Sequence, residues 1–310
     1  MKPCAYIWKN GSFIEWNTAT THVLTHALHY GSGVFEGIRA YETPKGPAIF
    51  KAADHYRRLL ASCSRYYLNC PYSVDELIQI TVTIIQKNNL PACYIRPLVY
   101  ADYGTMGILP KNATYSTMIA VWEWGSYLGD AGLVNGIRCH ITDIRKTPSE
   151  CMPATAKCCA NYANSFLAKH QAITAGFDEA ILLNNRGRVA EGPGENIFIV
   201  KNNEIITPPL SDDILDGITR SSVITIARDM GYSVRESSIV PQDLFDADEC
   251  FFTGTAAEVT PIAQIDNQPI GNGGRGPVTE RLQTAYFSIV KGTSLPYSDW
   301  LTHCTVSSCK

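Results

Sequence analysis

Apolar and polar positions alternate at the start of the chain and then change to a helical period. Tyr6-Ile7-Trp8 and Phe13-Ile14-Glu15-Trp16 flank Asn10-Gly11, which predicts two strands joined by a tight turn. Gly31 and Gly33 separate a loop from a strand that carries Phe35. Over residues 55–68, Tyr56, Leu59, Leu60, Cys63 and Tyr67 recur at helical spacing, predicting a helix that buries this stripe. Ser73-x-x-Glu76 is a capping box before a second helix running to about Asn89. The β-branched and aromatic stretches 93–100 and 115–122 predict strands.

The pattern breaks at residues 122–132, rich in glycine and aromatics, and resumes with an alternating stretch over 137–144. A helix is expected from about Asn161 to Ala175, stopped by Gly176. Strands follow at 179–183 and 196–200 around an Asn185-Arg186-Gly187 turn, with Glu191-Gly192-Pro193-Gly194-Glu195 between them. Asp216-Gly217-Ile218-Thr219-Arg220 opens a helix through Val223, Ile226, Ala227 and Met230. The strand 249–252 runs into Thr253-Gly254-Thr255-Ala256-Ala257-Glu258, and Val278, Leu282, Tyr286 and Ile289 mark a last amphipathic helix. Strands and helices mix in both halves without simple βαβ alternation, so a doubly wound sheet is not expected. The boundaries read as a domain over 1–121, an interdomain loop over 122–134 and a second domain over 135–310.

Composition narrows the function classes. A net charge of −3 on 310 residues favours neither nucleic acid nor an anionic membrane. No apolar run is long enough to span a bilayer, and the first residues lack the apolar core of a signal peptide. The sequons at Asn10 and Asn112 are therefore read as chance matches. The 11 cysteines contain no Cys-x-x-Cys, so neither a zinc ribbon nor a thioredoxin site is indicated. Reduced thiols in a cytoplasmic protein are the economical reading, and no metal is expected.

The candidate chemistry centres on Lys157, set in Ala154-Thr155-Ala156-Lys157-Cys158-Cys159-Ala160 ahead of a helix, with the Tyr162 hydroxyl close by in sequence. Desolvation would free its amine for attack on a carbonyl. Gly217-Ile218-Thr219 at a helix start, and Gly254-Thr255-Ala256 after a strand, could cradle a phosphate. Arg58 could add a bidentate contact. Glu191 could keep a pyridine nitrogen protonated, which a lysine-linked pyridoxal phosphate requires. Taken singly, each feature is equally a helix cap, a turn acid or a surface lysine. Gly271-Asn272-Gly273-Gly274-Arg275-Gly276 matches the dinucleotide fingerprint, but the later strand and acid that such a unit needs are missing, so it reads as a loop.

Taken together, four blocks resemble the branched-chain-amino-acid aminotransferases of the class IV, or fold-type IV, pyridoxal-phosphate enzymes. They are His29-Tyr30-Gly31-Ser32-Gly33-Val34-Phe35-Glu36-Gly37-Ile38-Arg39, Tyr94-Ile95-Arg96-Pro97, Glu191-Gly192-Pro193-Gly194-Glu195-Asn196 and Thr253-Gly254-Thr255-Ala256-Ala257-Glu258-Val259-Thr260-Pro261. The resemblance implies a mixed α/β, two-domain fold with a small N-terminal domain and a larger C-terminal pseudo-barrel. It implies pyridoxal 5′-phosphate as cofactor, with Lys157 as the covalent anchor and proton shuttle. Tyr162 would meet the ring oxygen, Glu191 the ring nitrogen, and Leu215 the ring face. Arg58, Ile218, Thr219, Gly254 and Thr255 would hold the phosphate. Tyr30, Phe35, Gly37, Tyr94, Arg96, Tyr127, Thr255 and Ala256 would shape the substrate pocket. The implied reaction exchanges the amino group of leucine, isoleucine or valine with 2-oxoglutarate, in a homodimer or a hexamer. A D-amino-acid transaminase and an aminodeoxychorismate lyase share the fold and are the alternatives. A non-catalytic cofactor-binding protein is a third, less consistent with the presence of both Lys157 and Glu191. The chain departs from the family at Cys158, Cys159 and Ala160, where small residues and a glycine are usual. A thiolate beside Lys157 and a helix start is one expectation for these cysteines; inert packing is the other.

Overall fold

A computed structural model describes residues 2–104, 106–109, 112–125 and 127–304; Ser126, within the expected interdomain loop, lies outside the described residues. The chain divides into two compact units, Met1–Trp124 with Ala156–Ala160 and Ser288–Lys310, and Gly125–Thr155 with Asn161–Phe287.

The first unit is built on a sheet of eight strands among the described residues. β1 (Tyr6–Lys9) and β2 (Ser12–Glu15) form the expected hairpin. Asn10 and Gly11 both take positive φ, 48° and 89°, matching the strand twist. β3 (Gly33–Phe35), β4 (Ile38–Tyr41) and β5 (Ala48–Phe50) come next, then the long central pair β6 (Cys93–Ala101) and β7 (Tyr115–Trp122). β6 pairs antiparallel with β3, β4 and β7, and the strand Leu301–His303 closes the edge beside β5. The helices are α1 (His26–Tyr30), α2 (Ala52–Arg65) and α3 (Val74–Lys87). The Ser73–Glu76 capping box is formed: Glu76 N donates to Ser73 Oγ at 3.3 Å and Ser73 N to Glu76 Oε2 at 2.7 Å.

One position of the expected α2 stripe is corrected. Tyr67 is 90% exposed and lies past the helix end, with φ of 53°. Leu68 N donates to Cys63 O and Tyr67 N to Ser64 O, so the chain turns out of the helix through a left-handed residue. Leu68, rather than Tyr67, then enters the core.

The second unit begins with α4 (Asp130–Asn135) and carries β8 (Ile137–Ile141), α5 (Asn161–Thr174), β9 (Glu179–Leu183), β10 (Val189–Glu191), β11 (Asn196–Lys201) and β12 (Glu204–Thr207). α6 (Ile218–Asp229), β13 (Ser233–Glu236), α7 (Pro241–Phe245), β14 (Glu249–Gly254), β15 (Glu258–Ile265), β16 (Gln268–Pro269) and α8 (Pro277–Val290) follow. The path β10-β9-β8-β15-β14-β11 returns on itself because Glu191 of β10 also pairs with Asn196 of β11. This closure makes the expected barrel and removes the β10 edge, while β12 and β13 extend the sheet beyond it. On β9, Ile181 and Leu183 join one apolar cluster with Ile197, Ile199 and Phe252, whereas Ala180 and Leu182 meet Ala168 and Ala172 of α5. Covering on both faces explains why this strand reads as an unbroken apolar run.

Candidate active site

Lys157 is held by backbone pairing. Phe35 N donates to Lys157 O at 3.0 Å and Cys159 N to Gly33 O at 2.8 Å, so the lysine segment runs as a short antiparallel partner of β3. Lys157 N donates to Ser62 Oγ of α2 at 3.1 Å. Its amine lies 5.1 Å from the Phe35 ring centroid. Burial, reinforced by the Arg58 guanidinium and partly offset by Glu36, pushes the Lys157 pKa down to about 8. This is the electrostatic setting that lysine nucleophilicity needs.

Around it, Phe35, Gly37, Tyr94 and Arg96 are brought together by the β3–β6 and β4–β6 pairings. A Cβ on Gly37 would overlap Tyr94 Oη, so only glycine leaves the phenol its place. The Arg96 guanidinium lies 4.7 Å from the Phe35 ring, 5.3 Å from Tyr94 and 5.9 Å from Trp122, and donates to Tyr94 Oη at 3.3 Å. A cation with aromatic walls is the result. Arg58 also belongs to this unit, with Nε 2.7 Å from Glu36 Oε1. Tyr30 is 44% exposed, its ring beside those of His26 and His29.

The residues that depart from the family pattern are accommodated by packing. Cys158 is 0% exposed and its Sγ donates to Tyr66 Oη at 2.8 Å. Burial raises the Cys159 thiol to about 11 and the nearby Arg96 does not reverse this. The expected thiolate therefore does not form at Cys159, and packing describes this pair. A Cβ on Gly31 would come within 2.8 Å of the Ala160 methyl, so Gly31 makes room for it.

The second unit assembles the other expected residues around Glu191. Its Oε2 accepts from Leu215 N at 3.0 Å and from Asn196 Nδ2 at 3.1 Å, and its Oε1 faces Lys146 Nζ at 2.6 Å. Asn196 Nδ2 also donates to Leu215 O at 2.9 Å, tying Glu191 to the segment that starts α6. A Cβ on Gly217 would overlap Asn196 Oδ1. Ile218 and Thr219 occupy the first turn of α6, whose start has no side-chain cap. Its first N–H groups are thus suited to an anion. Gly254, Thr255 and Ala256 lie at the β14–β15 turn, where a Gly254 Cβ would approach Gly194 O at 3.2 Å. Tyr162 is half-buried in the first turn of α5. Tyr127 is 38% exposed, with Lys169 Nζ 5.4 Å from its ring.

The fingerprint-like 271–276 loop does not lead to a free helix start. The Glu249 carboxylate already fills the start of α8, accepting from Val278 N at 2.9 Å and Thr279 N at 2.7 Å. A Cβ on Gly276 would collide with Glu249 Cδ, so that glycine serves the carboxylate's approach. Sequence reasoning missed Glu36, His55, Lys146 and Asn196. Glu36 and Asn196 lay inside quoted blocks; Lys146 and His55 carried no local signal.

These features agree with what the chain is similar to. The Amino-transferase class IV profile matches residues 33–265. A branched-chain-amino-acid aminotransferase of Pseudomonas aeruginosa is 45% identical over 296 residues, covering 96% of each chain. One from Escherichia coli (strain K12) is 41% identical over 302 residues, covering 97% of each. The solved branched-chain amino acid aminotransferase from Thermobaculum terrenum, in its PLP-bound holo form, matches with TM-score 0.92 and 33% identity, covering 99% of this chain and 100% of that one. The chain belongs to the class IV aminotransferases, and its mixed α/β architecture is the fold-type IV one.

Proposed function

We propose that this chain is a pyridoxal-phosphate-dependent aminotransferase that moves the amino group between leucine, isoleucine or valine and 2-oxoglutarate. The observation that carries the reading is the Lys157 amine, depressed to about 8 and 5.1 Å from an aromatic ring, in a unit that also holds Arg58 and Arg96. The residues fit the cofactor chemically. The uncapped start of α6 at Ile218 and Thr219, with Gly254 and Thr255, offers N–H and hydroxyl donors for a phosphate, and Arg58 a guanidinium. Glu191, met by one ammonium and two N–H donors, is arranged as a carboxylate able to face a ring nitrogen. Leu215 and Tyr162 would contact the ring.

Bound pyridoxal phosphate supplies the electron sink that makes the amino acid Cα proton labile. Lys157 Nζ anchors the cofactor and moves that proton, as base and then acid, since its depressed pKa leaves neutral amine near neutral pH. Phe35, Gly37, Tyr94, Thr255 and Ala256 would admit an aliphatic side chain. Arg96 would meet the second carboxylate of glutamate. Incubation with pyridoxal phosphate, L-leucine and 2-oxoglutarate should produce glutamate, with a leucine-dependent change in visible absorbance. Turnover of D-alanine instead, or pyruvate release from aminodeoxychorismate, would replace this reading with one of its alternatives.

The active form is a homodimer, or a hexamer built from dimers. Val23, Leu28, Ile108 and Leu109 are 74%, 64%, 87% and 89% exposed in the first unit, an apolar surface fit for a second copy. Tyr30 borders it in sequence, and Tyr127 would belong to a loop over 122–134 that adjusts on substrate binding. The ten free cysteines among the described residues suit a reducing, cytoplasmic location. None of the described helices is long and apolar enough to cross a membrane.

A further inference from the structure

Glu36 follows Phe35 where β3 gives way to β4, and its side chain is 0% exposed. Nothing in amino transfer calls for a carboxylate at this place, and a buried one is strongly unfavourable unless partners surround it. Three donors do so. Arg58 Nε donates to Oε1 at 2.7 Å, Arg58 Nη2 to Oε2 at 2.9 Å, and His55 Nδ1 to Oε2 at 2.7 Å. Burial alone would raise the carboxyl, but the Arg58 charge and the His55 hydrogen bond outweigh it and hold Glu36 at about 2. Burial lowers the His55 pKa, so His55 donates as a neutral ring and brings no second charge.

The arrangement is anchored from two sides. Glu36 N donates to Pro97 O at 3.0 Å, which fixes its backbone to β6. His55 and Arg58 are three residues apart on α2 and so share one face of that helix. A guanidinium carries five N–H groups in one plane. Glu36 takes the edge bearing Nε and Nη2, which sets that plane and with it the direction of every other N–H of the group. An arginine left to itself would sample many rotamers and lose that freedom on binding.

We propose that Glu36 and His55 are positioning residues that hold the Arg58 guanidinium in the orientation that receives the cofactor's phosphate. The inference rests on the pyridoxal-phosphate reading above and extends it to two residues that never touch the substrate. The rival view is that the cluster only stabilises the unit, and the two views differ in what they do to ligands with and without a phosphate.

The test compares pyridoxal 5′-phosphate with pyridoxal, which lacks the phosphate, in titrations of the full chain stripped of cofactor. Inorganic phosphate serves as a competitor. In Glu36→Gln, affinity for pyridoxal phosphate should fall by about tenfold or more, the scale of one charge-assisted contact. Affinity for pyridoxal should stay within about twofold, a difference too small to reflect a lost contact, and competition by inorganic phosphate should weaken. His55→Asn, which keeps a donor near the Nδ1 position, should behave as wild type, whereas His55→Leu should follow Glu36→Gln. Equal losses for both ligands, or no loss for either, would overturn the positioning role. If Glu36→Gln does not fold, the two His55 variants decide the matter by the same ratio. Wild-type protein that binds neither ligand would instead overturn the cofactor reading itself, and this inference with it.

Discussion

At the scale of single residues, the chemistry depends on how far a charge is destabilised. Lys157→Ala should lower transamination by about 10³-fold or more, because an acid–base group and an anchor are both lost. Circular dichroism should show the fold intact, and borohydride reduction of the wild type with pyridoxal phosphate should label Lys157. The same residue carries a pH signature. Its folded pKa of about 8 lies below the unfolded value of 10.5, so the unfolded chain binds more protons between these limits. Stability of the cofactor-free protein should therefore rise with pH across that window. Lys157→Met should be the more stable protein at pH 7, by about 3 kcal/mol, and the advantage should vanish above pH 10.5, the unfolded limit. Urea titrations at several pH values measure this directly. Thiol reactivity is also set locally. Burial raises Cys159 to about 11, whereas the neighbouring Cys63 thiol and the Thr117 hydroxyl, which donates to Cys70 Sγ at 3.8 Å, hold Cys70 well below the usual thiol value. Iodoacetamide at neutral pH should label Cys70 before Cys158 or Cys159, as read by peptide mapping, and a Cys158→Ser, Cys159→Gly variant should be alkylated at the wild-type rate. Faster labelling of the pair next to Lys157 would return the thiolate reading.

At the scale of elements, two helix starts that look alike in sequence behave oppositely. α6 begins at Gly217 without a side-chain cap, whereas α8 begins on a buried carboxylate that accepts from Val278 N, Thr279 N and Thr279 Oγ1. Glu249→Ala should cost about 2 kcal/mol of stability, the scale for leaving buried donors unmet. It should leave affinity for pyridoxal phosphate unchanged, and urea unfolding beside a cofactor titration separates the two effects. Gly217→Ala, by contrast, should weaken cofactor binding as well as stability, because its Cβ would displace Asn196 and with it the carboxylate of Glu191. The elements themselves were legible where the signal is local. The Ser73–Glu76 box, the Asn10-Gly11 turn and the periodic helices all stand within a few residues of their expected bounds. Tyr67 failed because an apolar stripe does not say where a helix stops, and the left-handed exit depends on Leu68 reaching the core. Lys157 was found by its small neighbours, yet its pairing with β3 joins residues more than a hundred positions apart, and no local pattern encodes that. Short strands such as β10 and β12 also lacked enough residues to show a period.

At the scale of the whole molecule, an apolar surface of the first unit leaves a requirement open. A barrel closed through Glu191 and Asn196 and a sheet covered by α2 and α3 bury their own apolar faces. The segments around α1 and the loop after β6 do not. They expose Val23, Leu24, Leu28, Tyr103, Met106, Ile108 and Leu109. The two segments are tied into one surface, since His26 Nε2 hydrogen-bonds Gly107 O at 2.7 Å and the His22 and Tyr103 rings lie 4.1 Å apart. Free chains rarely keep so many adjoining apolar side chains in water, and a net charge of −3 gives little repulsion against self-association. A stable self-complementary contact needs about 800 Å² from each partner, and a two-fold axis uses the same patch twice. The protein should therefore sediment as a dimer or a multiple of it at micromolar concentration. Leu28→Asp with Leu109→Asp places a carboxylate in each tied segment, where a desolvated interface would have to bury it unpaired. That variant should run as a monomer with unchanged circular dichroism, since both side chains are exposed in the single chain. Sedimentation of wild type and variant over a hundredfold dilution reads the outcome, and a wild-type protein that stays monomeric and fully active at the highest concentration would show that this surface meets something other than its own copy.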